Sequence, residues 1–197
     1  MSDDTEDEAS ADDRYAYKAS LIGSAHVFEL TKKGLSWKVG GGRSGVWAYT
    51  DIAAINLSYR PSSMQSRRFR ADIRHVNGGR LKVMSTTWQT VSLMTPQDHG
   101  YRAFITALHG RMAAAGSRAK LSGGLSVIHY GAAMALLAFL AVAMVGLLVR
   151  AIAIGEWAGV LFLLGFAALF VWQIGGFVRR NQPITYSFDQ LPKALLP

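Results

Sequence analysis

The stretch "RRFRADIRHVNGGRLKVMSTTW", residues 67–88, decides the fold of the N-terminal part of this chain. Apolar and polar residues alternate through it, as they do in a strand that buries one side. Asn77, Gly78 and Gly79 interrupt the alternation, and because these residues tolerate a positive φ they favour a tight turn. The stretch is therefore predicted to form an antiparallel hairpin.

One side of this hairpin is expected to be strongly basic. In an alternating strand Phe69, Ala71 and Ile73 share one side, which leaves the charged residues on the other. A half-buried antiparallel sheet always has a solvated side, so a plain solvated face stays one interpretation. A neutral side would serve that purpose equally well, and here one acid, Asp72, accompanies six bases. The candidate anion-binding residues are Arg67, Arg68, Arg70, Arg74, Arg80 and Lys82.

Further strands are predicted upstream of the hairpin. Residues 26–30 and 34–39 flank a short polar link, and residues 46–60 are rich in aromatic and β-branched side chains. Between them, the glycine-rich residues 40–45 predict a loop and lack the Gly-Lys-Ser/Thr ending of a phosphate-binding P-loop. The order of elements is strand after strand, which predicts an antiparallel sheet.

A single helix is predicted after the strands, over residues 95–115. Thr95 is a suitable N-cap, Pro96 suits the first helical position, and Gly116 can end the helix. The apolar residues recur every three or four positions, so this helix is expected to be amphipathic with one buried side. That side consists of Tyr101, Phe104, Ile105, Leu108 and Met112.

Residues 46–61, "VWAYTDIAAINLSYRP", resemble the aromatic–Asp–Ile–x–x–Ile segment of bacterial pleckstrin-homology-like (PH-like) and GRAM-like domains, and the predicted helix falls where theirs does. The resemblance covers residues 14–116. It implies an α+β fold, in which one C-terminal helix plugs an open end of a bent antiparallel sheet or partly open barrel. It also implies a lipid- or protein-binding module without catalysis. No inositol-phosphate ligand set can be carried over, because no clear match to one is found.

Two long uncharged runs follow a short linker at 117–124. Residues 125–149 and 157–178 contain no charged side chain, and each exceeds the roughly 20 apolar residues that cross a hydrocarbon core as a helix. Nothing else in the chain is large enough to bury two such helices. They are therefore predicted to be membrane spans, and the short segment between them predicts an antiparallel hairpin.

Basic residues indicate the orientation of this helical hairpin. They flank its two outer ends, whereas the connecting segment contains only Arg150, close to Glu156. The positive-inside rule then predicts that both termini are cytoplasmic and that the protein resides in an inner (cytoplasmic) membrane. Tyr130, Trp157 and Trp172 lie near helix ends, where aromatic rings favour the headgroup layer of the membrane interface.

Residues inside the spans indicate packing rather than transport. His129 and Gln173 lie at similar depth and are predicted to hydrogen-bond across the hairpin, with a headgroup location for His129 as the alternative. Neither span contains an acid or an Arg, so no ion or proton pathway is expected. Small residues in both spans allow close helix packing, either within the hairpin or with a second copy or another membrane protein.

The charge of the chain is divided unevenly. Residues 1–13 contain seven acids and no base, which predicts a disordered leader. All 21 basic residues follow it, but only six of the 13 acidic ones do. This excess favours anionic lipid headgroups of the nearby membrane as partner. The alternatives are a solvated face or an acidic protein partner, and nucleic acid is not expected. The acidic leader is a further candidate, because it could cover the basic residues itself.

No pattern of catalytic or cofactor-binding residues is found. The chain has no cysteine, and its five histidines do not have the HExxH spacing of zinc proteases. We expect no metal, no cofactor and no enzymatic activity. The favoured function is a non-enzymatic, membrane-anchored cytoplasmic binding module that contacts anionic lipid headgroups. The alternative is an accessory subunit or an assembly or scaffold factor of a larger membrane-protein complex, with residues 179–197 as a cytoplasmic tail.

Overall fold

The computed structural model describes residues 13–62, 67–90 and 93–197. The described residues form two compact units. The first unit contains the residues up to Gly123 together with Thr185–Pro197, and the second unit contains Gly124–Ile184. Apart from Asp13, the predicted acidic leader lies outside the described residues, so its predicted disorder and its contact with the basic residues stay predictions.

The fold is α+β. The strands in chain order are β1 (Arg14–Tyr17), β2 (His26–Thr31), β3 (Gly34–Val39), β4 (Arg43–Trp47), β5 (Ile52–Tyr59), β6 (Phe69–His75), β7 (Arg80–Met84), β8 (Thr86–Thr90), β9 (Leu93–Pro96), β10 (Lys120–Gly123) and β11 (Ile184–Thr185). The helices are α1 (Asp98–Ala114), α2 (Val127–Ala153) and α3 (Trp157–Arg180). Single 3₁₀ turns lie at Tyr49–Asp51 and Lys193–Leu195.

An antiparallel sheet of four strands, in the order β1-β2-β3-β4, forms one side of the first unit. Strands β2 and β3 confirm the sequence prediction, whereas β1 was not predicted. The glycine-rich loop predicted at 40–45 is shorter than expected. Gly41 and Gly42 turn the chain with positive φ angles, and pairing resumes already at Arg43, which opposes Val39.

The predicted hairpin is confirmed and belongs to a second sheet, whose strand order is β11-β10-β5-β6-β7. Gly78 has a φ of +83°, and the His75 N–H donates to the Gly79 carbonyl at 2.9 Å. Strands β5, β6 and β7 are antiparallel, and their buried side consists of alternate residues, as the sequence pattern requires. Ala71, Ile73 and Val83 are fully buried there.

The predicted linker at 117–124 contains a strand instead. Lys120–Gly123 forms β10, which pairs with β5 in parallel, so the second sheet is mixed. The pairing buries Leu121, whose neighbours in this short stretch are polar or glycine and give little pattern to read. Part of the predicted tail is folded, because Thr185–Pro197 belongs to the first unit. The Tyr186 N–H donates to the Leu121 carbonyl at 3.4 Å.

The helix after the strands begins at Asp98 and not at Thr95. Thr95 and Pro96 lie in β9, where they pair with Thr87 and Thr86 of β8, so the second hairpin uses the residues that resembled a helix start. Gly116 ends the helix as predicted, with a φ of +69°. The Ser117 N–H donates to the Met112 carbonyl in the 6→1 pattern of a Schellman motif.

The five apolar residues predicted for the buried side of α1 have no exposed surface. Tyr15 of β1 packs against this helix, with ring centroids 5.7 Å from Phe104. The hydroxyl of Tyr15 donates to the Met84 carbonyl and that of Tyr17 donates to the Lys82 carbonyl, each at 2.6 Å. These two bonds attach the first sheet to β7, the last strand of the second sheet.

The second unit contains two helices that are long and apolar enough to cross a membrane. Val127–Ala153 has a mean hydropathy of 2.7 and Trp157–Arg180 one of 2.1, and 0% and 6% of their most apolar 18-residue windows are buried. The helices are longer than the predicted runs, so the connection shrinks to residues 154–156. Gly155 makes this turn with a φ of +72°.

Candidate anion-binding surface

Most of the predicted anion-binding residues lie on the outer side of the second sheet, opposite its buried side. Across the strands, Lys120 opposes Ala54, and Ala54 opposes Arg74. Arg74 in turn opposes Arg80 at the edge of the sheet. All three basic residues are exposed. Lys120, Arg74 and Arg80 thus form one row that crosses four strands.

The next row contains a carboxylate. Asp72 lies between Asn56 of β5 and Lys82 of β7. Its carboxylate pairs with the guanidinium of Arg70 at 2.6 Å. Asn56 donates from Nδ2 to Ser122 Oγ at 3.1 Å, so the two polar residues at this point of the sheet satisfy each other. Asp72 therefore forms its ion pair with one arginine on this side of the sheet, Arg70.

Four side chains form a square at the end of β5 and the beginning of β6. Ser58 opposes Arg70 in the register, and the Arg60 N–H donates to the Arg68 carbonyl at 2.8 Å. Because alternate residues of a strand share a side, Ser58 and Arg60 face the same way, as do Arg68 and Arg70. We call Arg60, Arg68 and Arg70 the arginine cluster.

The arginine cluster is crowded and partly desolvated. Burial lowers the pKa of Arg60, Arg70 lowers it further, and Asp72 opposes this by raising it. Burial likewise lowers the pKa of Arg68, with a second contribution from Arg70. Both shifts report a positive charge that is disfavoured where it stands. Burial and the neighbouring Arg70 thus both disfavour the positive charges of Arg60 and Arg68.

Sequence reasoning found most of this surface but not all of it. Arg67 does not join the other five predicted residues, since it pairs with Asp98 at the start of α1 at 3.3 Å. Arg60 and Lys120 were missed. Arg60 continues the alternation from Ser58 and could have been found by extending that pattern, whereas Lys120 lies in a strand that was not predicted. The basic face is defined here as Arg60, Arg68, Arg70, Arg74, Arg80, Lys82 and Lys120.

The residues predicted inside the helical hairpin are not all brought together. His129 Nδ1 lies 2.6 Å from Ser126 Oγ, and no hydrogen bond joins His129 to Gln173 in the described structure. Ser126 is the N-cap of α2, and its hydroxyl is the hydrogen-bond partner of His129 that was predicted to be Gln173. Trp157 and Trp172 are exposed, and Tyr130 is half-buried. Their assignment to a membrane interface stays a prediction.

Metal-binding clusters and cavities are the other places in the described residues where a ligand could bind. No group of three His, Asp or Glu side chains there is placed to hold a metal ion. A groove of about 870 Å³ lies between α2 and α3, and its lining is almost entirely apolar, with residues such as Leu140, Phe166 and Phe170. Such a groove accommodates hydrocarbon or another helix, and Arg179 is the charged residue of its lining.

Comparisons with known proteins give no match: no family model, no curated protein and no solved structure matches this chain.

Proposed function

We propose that this chain is a non-enzymatic, membrane-anchored binding module whose basic face contacts anionic lipid headgroups. The observation that carries the proposal is the collection of seven basic side chains and one carboxylate on a single side of one sheet. The same chain contains two helices fit to cross a membrane. Each Lys or Arg close to an anionic leaflet contributes about 1 kcal/mol of attraction, so the face and the helices favour the same location.

The arrangement of elements supports a PH-like fold for the first unit. Four antiparallel strands are followed by three more, and a single helix with a fully buried side comes after the β8–β9 hairpin. This is the order that the resemblance of residues 46–61 implies. Strands β10 and β11 are additions to it.

The proposed location is the inner membrane, with both termini in the cytoplasm. Residues before α2 and residues after α3 fold into the same unit, so both ends of the helical hairpin have to emerge on one side of the membrane. Arg179 and Arg180 at the end of α3 favour the cytoplasmic side for those ends. The connecting turn contributes only Arg150, beside Glu156, to the opposite side.

The test uses the full chain in nanodiscs, because the first unit needs residues from both ends of the chain. Since the sequence has no cysteine, an Asn77→Cys variant accepts a single fluorophore at the exposed β6–β7 turn. Headgroup-quencher lipids are added to discs of phosphatidylcholine alone or mixed with phosphatidylglycerol. We expect quenching in the anionic discs that weakens at high salt, as screening requires.

Two controls make this result specific. A Lys33→Cys label on the β2–β3 turn, away from the basic face, is expected to show no such dependence on lipid charge. Charge reversal by Arg74→Glu and Arg80→Glu should abolish the quenching at Asn77→Cys, whereas reversal at the exposed Arg43 of β4 should not. Equal fluorescence in neutral and anionic discs would contradict the lipid proposal and leave protein or nucleic acid as the partner to seek.

A second candidate function is an accessory or assembly subunit of a larger membrane-protein complex. It is favoured by the helices themselves, since a Cβ added at Gly131, Gly146, Gly165, Gly175 or Gly176 would meet no atom within 4 Å. These glycines do not pack the helical hairpin, and the apolar groove between α2 and α3 is also open. Purification with one partner in fixed ratio, retained after charge reversal on the basic face, would favour this function over lipid contact.

A further inference from the structure

We propose that Arg60, Arg68 and Arg70, together with the Ser58 hydroxyl, form a discrete binding site for one phosphate monoester or inorganic phosphate dianion. The site lies on the face that is proposed to contact lipid, and binding of a lipid headgroup there rests on that proposed function. Binding of free phosphate does not. These four residues would then be the centre of the basic face, where a single anion binds.

The positions of the four residues suit a compact tetrahedral anion. Ser58 lies in β5 and Arg60 directly follows that strand, while Arg70 lies in β6 and Arg68 comes just before its first residue, Phe69. The Arg60 N–H to Arg68 carbonyl bond continues the pairing of the two strands by one residue. Such neighbours are separated by about 5 Å across the strands and about 7 Å along them. Side chains as long as arginine can therefore converge on a single ligand above the square, where a guanidinium can donate two parallel hydrogen bonds to phosphate oxygens.

Buried donors in this square lack partners. The Nε atoms of Arg60, Arg68 and Arg70 are all buried, and none makes a hydrogen bond within the described structure. The hydroxyl of Ser58, a residue with no exposed surface, is equally without a partner. Buried polar groups are nearly always satisfied in folded proteins, so four unsatisfied groups at one place indicate a missing acceptor.

The charge of the square matches a dianion. Asp72 pairs with Arg70, and no other carboxylate of the described residues forms an ion pair with Arg60 or Arg68. Three guanidinium groups and one carboxylate leave two positive charges in a partly desolvated place, where Coulomb attraction is stronger than in water. A phosphate monoester carries nearly two negative charges at neutral pH, whereas a phosphodiester carries one. The site is therefore expected to prefer the monoester.

The first experiment titrates inorganic phosphate into the full chain in phosphatidylcholine nanodiscs, at constant ionic strength, by calorimetry. We expect saturable binding that weakens about tenfold or more in Arg60→Gln and in Arg68→Gln, since each removes a charge-assisted donor. Arg43→Gln removes the same charge from an exposed position of β4, outside the basic face, and should leave the affinity within about twofold. Arg60→Lys, which keeps the charge but loses the planar fork, should fall between these results.

The second experiment identifies the source of the phosphate. Phosphatidic acid, a monoester lipid, or phosphatidylglycerol, a diester lipid, is added to the discs at equal charge before the titration. If the headgroup is the ligand, phosphatidic acid suppresses the calorimetric signal and phosphatidylglycerol does not. If free phosphate is the ligand, both discs give the same titration as phosphatidylcholine. Both outcomes support the site.

The site is overturned if two results are found together. Inorganic phosphate gives no calorimetric binding in phosphatidylcholine discs, and phosphatidic acid has the same effect on the wild-type protein as on the Arg60→Gln protein. It is also overturned if phosphate binds equally well to the Arg60→Gln, Arg68→Gln and Arg43→Gln proteins. Unchanged circular dichroism and thermal midpoints of the variants confirm that they fold. Phosphate binding without lipid-dependent quenching at Asn77→Cys would reject the proposed function and keep the site. Lipid-dependent quenching without phosphate binding would keep the proposed function and reject the site.

Discussion

His109 Nε2 lies 3.0 Å from the hydroxyl of Tyr186, although 77 residues and both apolar helices separate the two in the chain. His109 Nδ1 is 2.7 Å from the Ile105 carbonyl, which can only accept, so Nδ1 carries the proton and Nε2 accepts from tyrosine. The ring of Phe188 lies beside the same imidazole. The C-terminal segment is thus attached to α1 through one buried histidine.

This contact predicts a dependence of stability on pH. Burial lowers the pKa of His109 from its usual 6.5, although the bond to Ile105 opposes the shift. The unfolded chain therefore binds a proton that the folded chain excludes, so the stabilisation is complete above pH 6.5 and declines as the pH falls toward the lowered pKa. We expect His109→Gln to flatten the decline of the thermal midpoint at mildly acidic pH.

The matched control for this change is His99→Gln, because His99 is exposed on the same helix. That variant should keep the pH dependence of the wild-type protein. A residual slope is expected in His109→Gln as well, since burial and the nearby Arg43 also lower the pKa of His26. If His109→Gln and wild type lose stability in parallel as the pH falls, the buried neutral histidine is not the cause.

The end of the chain is expected to stabilise the first unit. Leu195 is 1% exposed, and its 3₁₀ turn lies against β5. Truncating a buried leucine typically costs about 2–5 kcal/mol, so Leu195→Ala should lower the thermal midpoint and increase hydrogen exchange in β5. Lys193→Ala, at an exposed position of the same turn, is the control and should change neither. Equal effects of the two substitutions would show that the tail is not packed.

The bond from the Tyr17 hydroxyl to the Lys82 carbonyl gives a second stability prediction. Tyr17→Phe removes this donor from a residue that is 2% exposed and leaves the carbonyl of an edge strand unpaired. The expected loss is about 1 kcal/mol of unfolding free energy, with faster hydrogen exchange confined to β7. Tyr59→Phe changes a buried tyrosine of β5, and hydrogen exchange of β7 is compared between the two variants. Unchanged exchange of β7 in Tyr17→Phe would contradict the attachment of β7 to the first sheet through this bond.

Local signals predicted the elements that depend on neighbouring residues. Alternation and the Asn77-Gly78-Gly79 turn define β6 and β7 because both features lie within the hairpin itself. The same reasoning failed at Thr95 and Pro96, whose residue types suit a helix start and the end of a hairpin equally well. Pairing with β8 decides between these, and that pairing depends on a tertiary contact. The parallel strand at Lys120–Gly123 is four residues long and has no pattern without its partner β5.

The candidate site was predicted to the extent that it depends on alternation within one strand. Arg68, Arg70 and Arg74 follow from the pattern of β6. Arg60 belongs to the site through the cross-strand register, which fixes it opposite Arg68. Arg67 was included by proximity in sequence, and the structure pairs it with Asp98 at the start of α1. The cross-strand register and the ion pair both depend on residues outside the strand itself, so the sequence of one strand cannot predict them.

Asp72 provides the last prediction, because it is the carboxylate that sets the charge of the arginine cluster. Asp72→Asn keeps the size of the side chain and removes the pairing with Arg70 at 2.6 Å. Without this charge the three guanidinium groups repel one another more strongly, so the thermal midpoint without phosphate should fall. Phosphate should then bind about tenfold more tightly and restore most of the lost stability, since the ligand becomes the only counter-charge.

This combination of opposite effects separates a binding site from a structural ion pair. A purely structural role for Asp72 predicts lower stability with no gain in phosphate affinity. The control is Asp51→Asn, which removes an exposed carboxylate outside the square and should change neither quantity. Thermal midpoints measured across a phosphate titration for wild type, Asp72→Asn and Asp51→Asn give both quantities at once. Loss of stability in Asp72→Asn that phosphate does not reverse would show that the arginine cluster does not act on the anion as a unit.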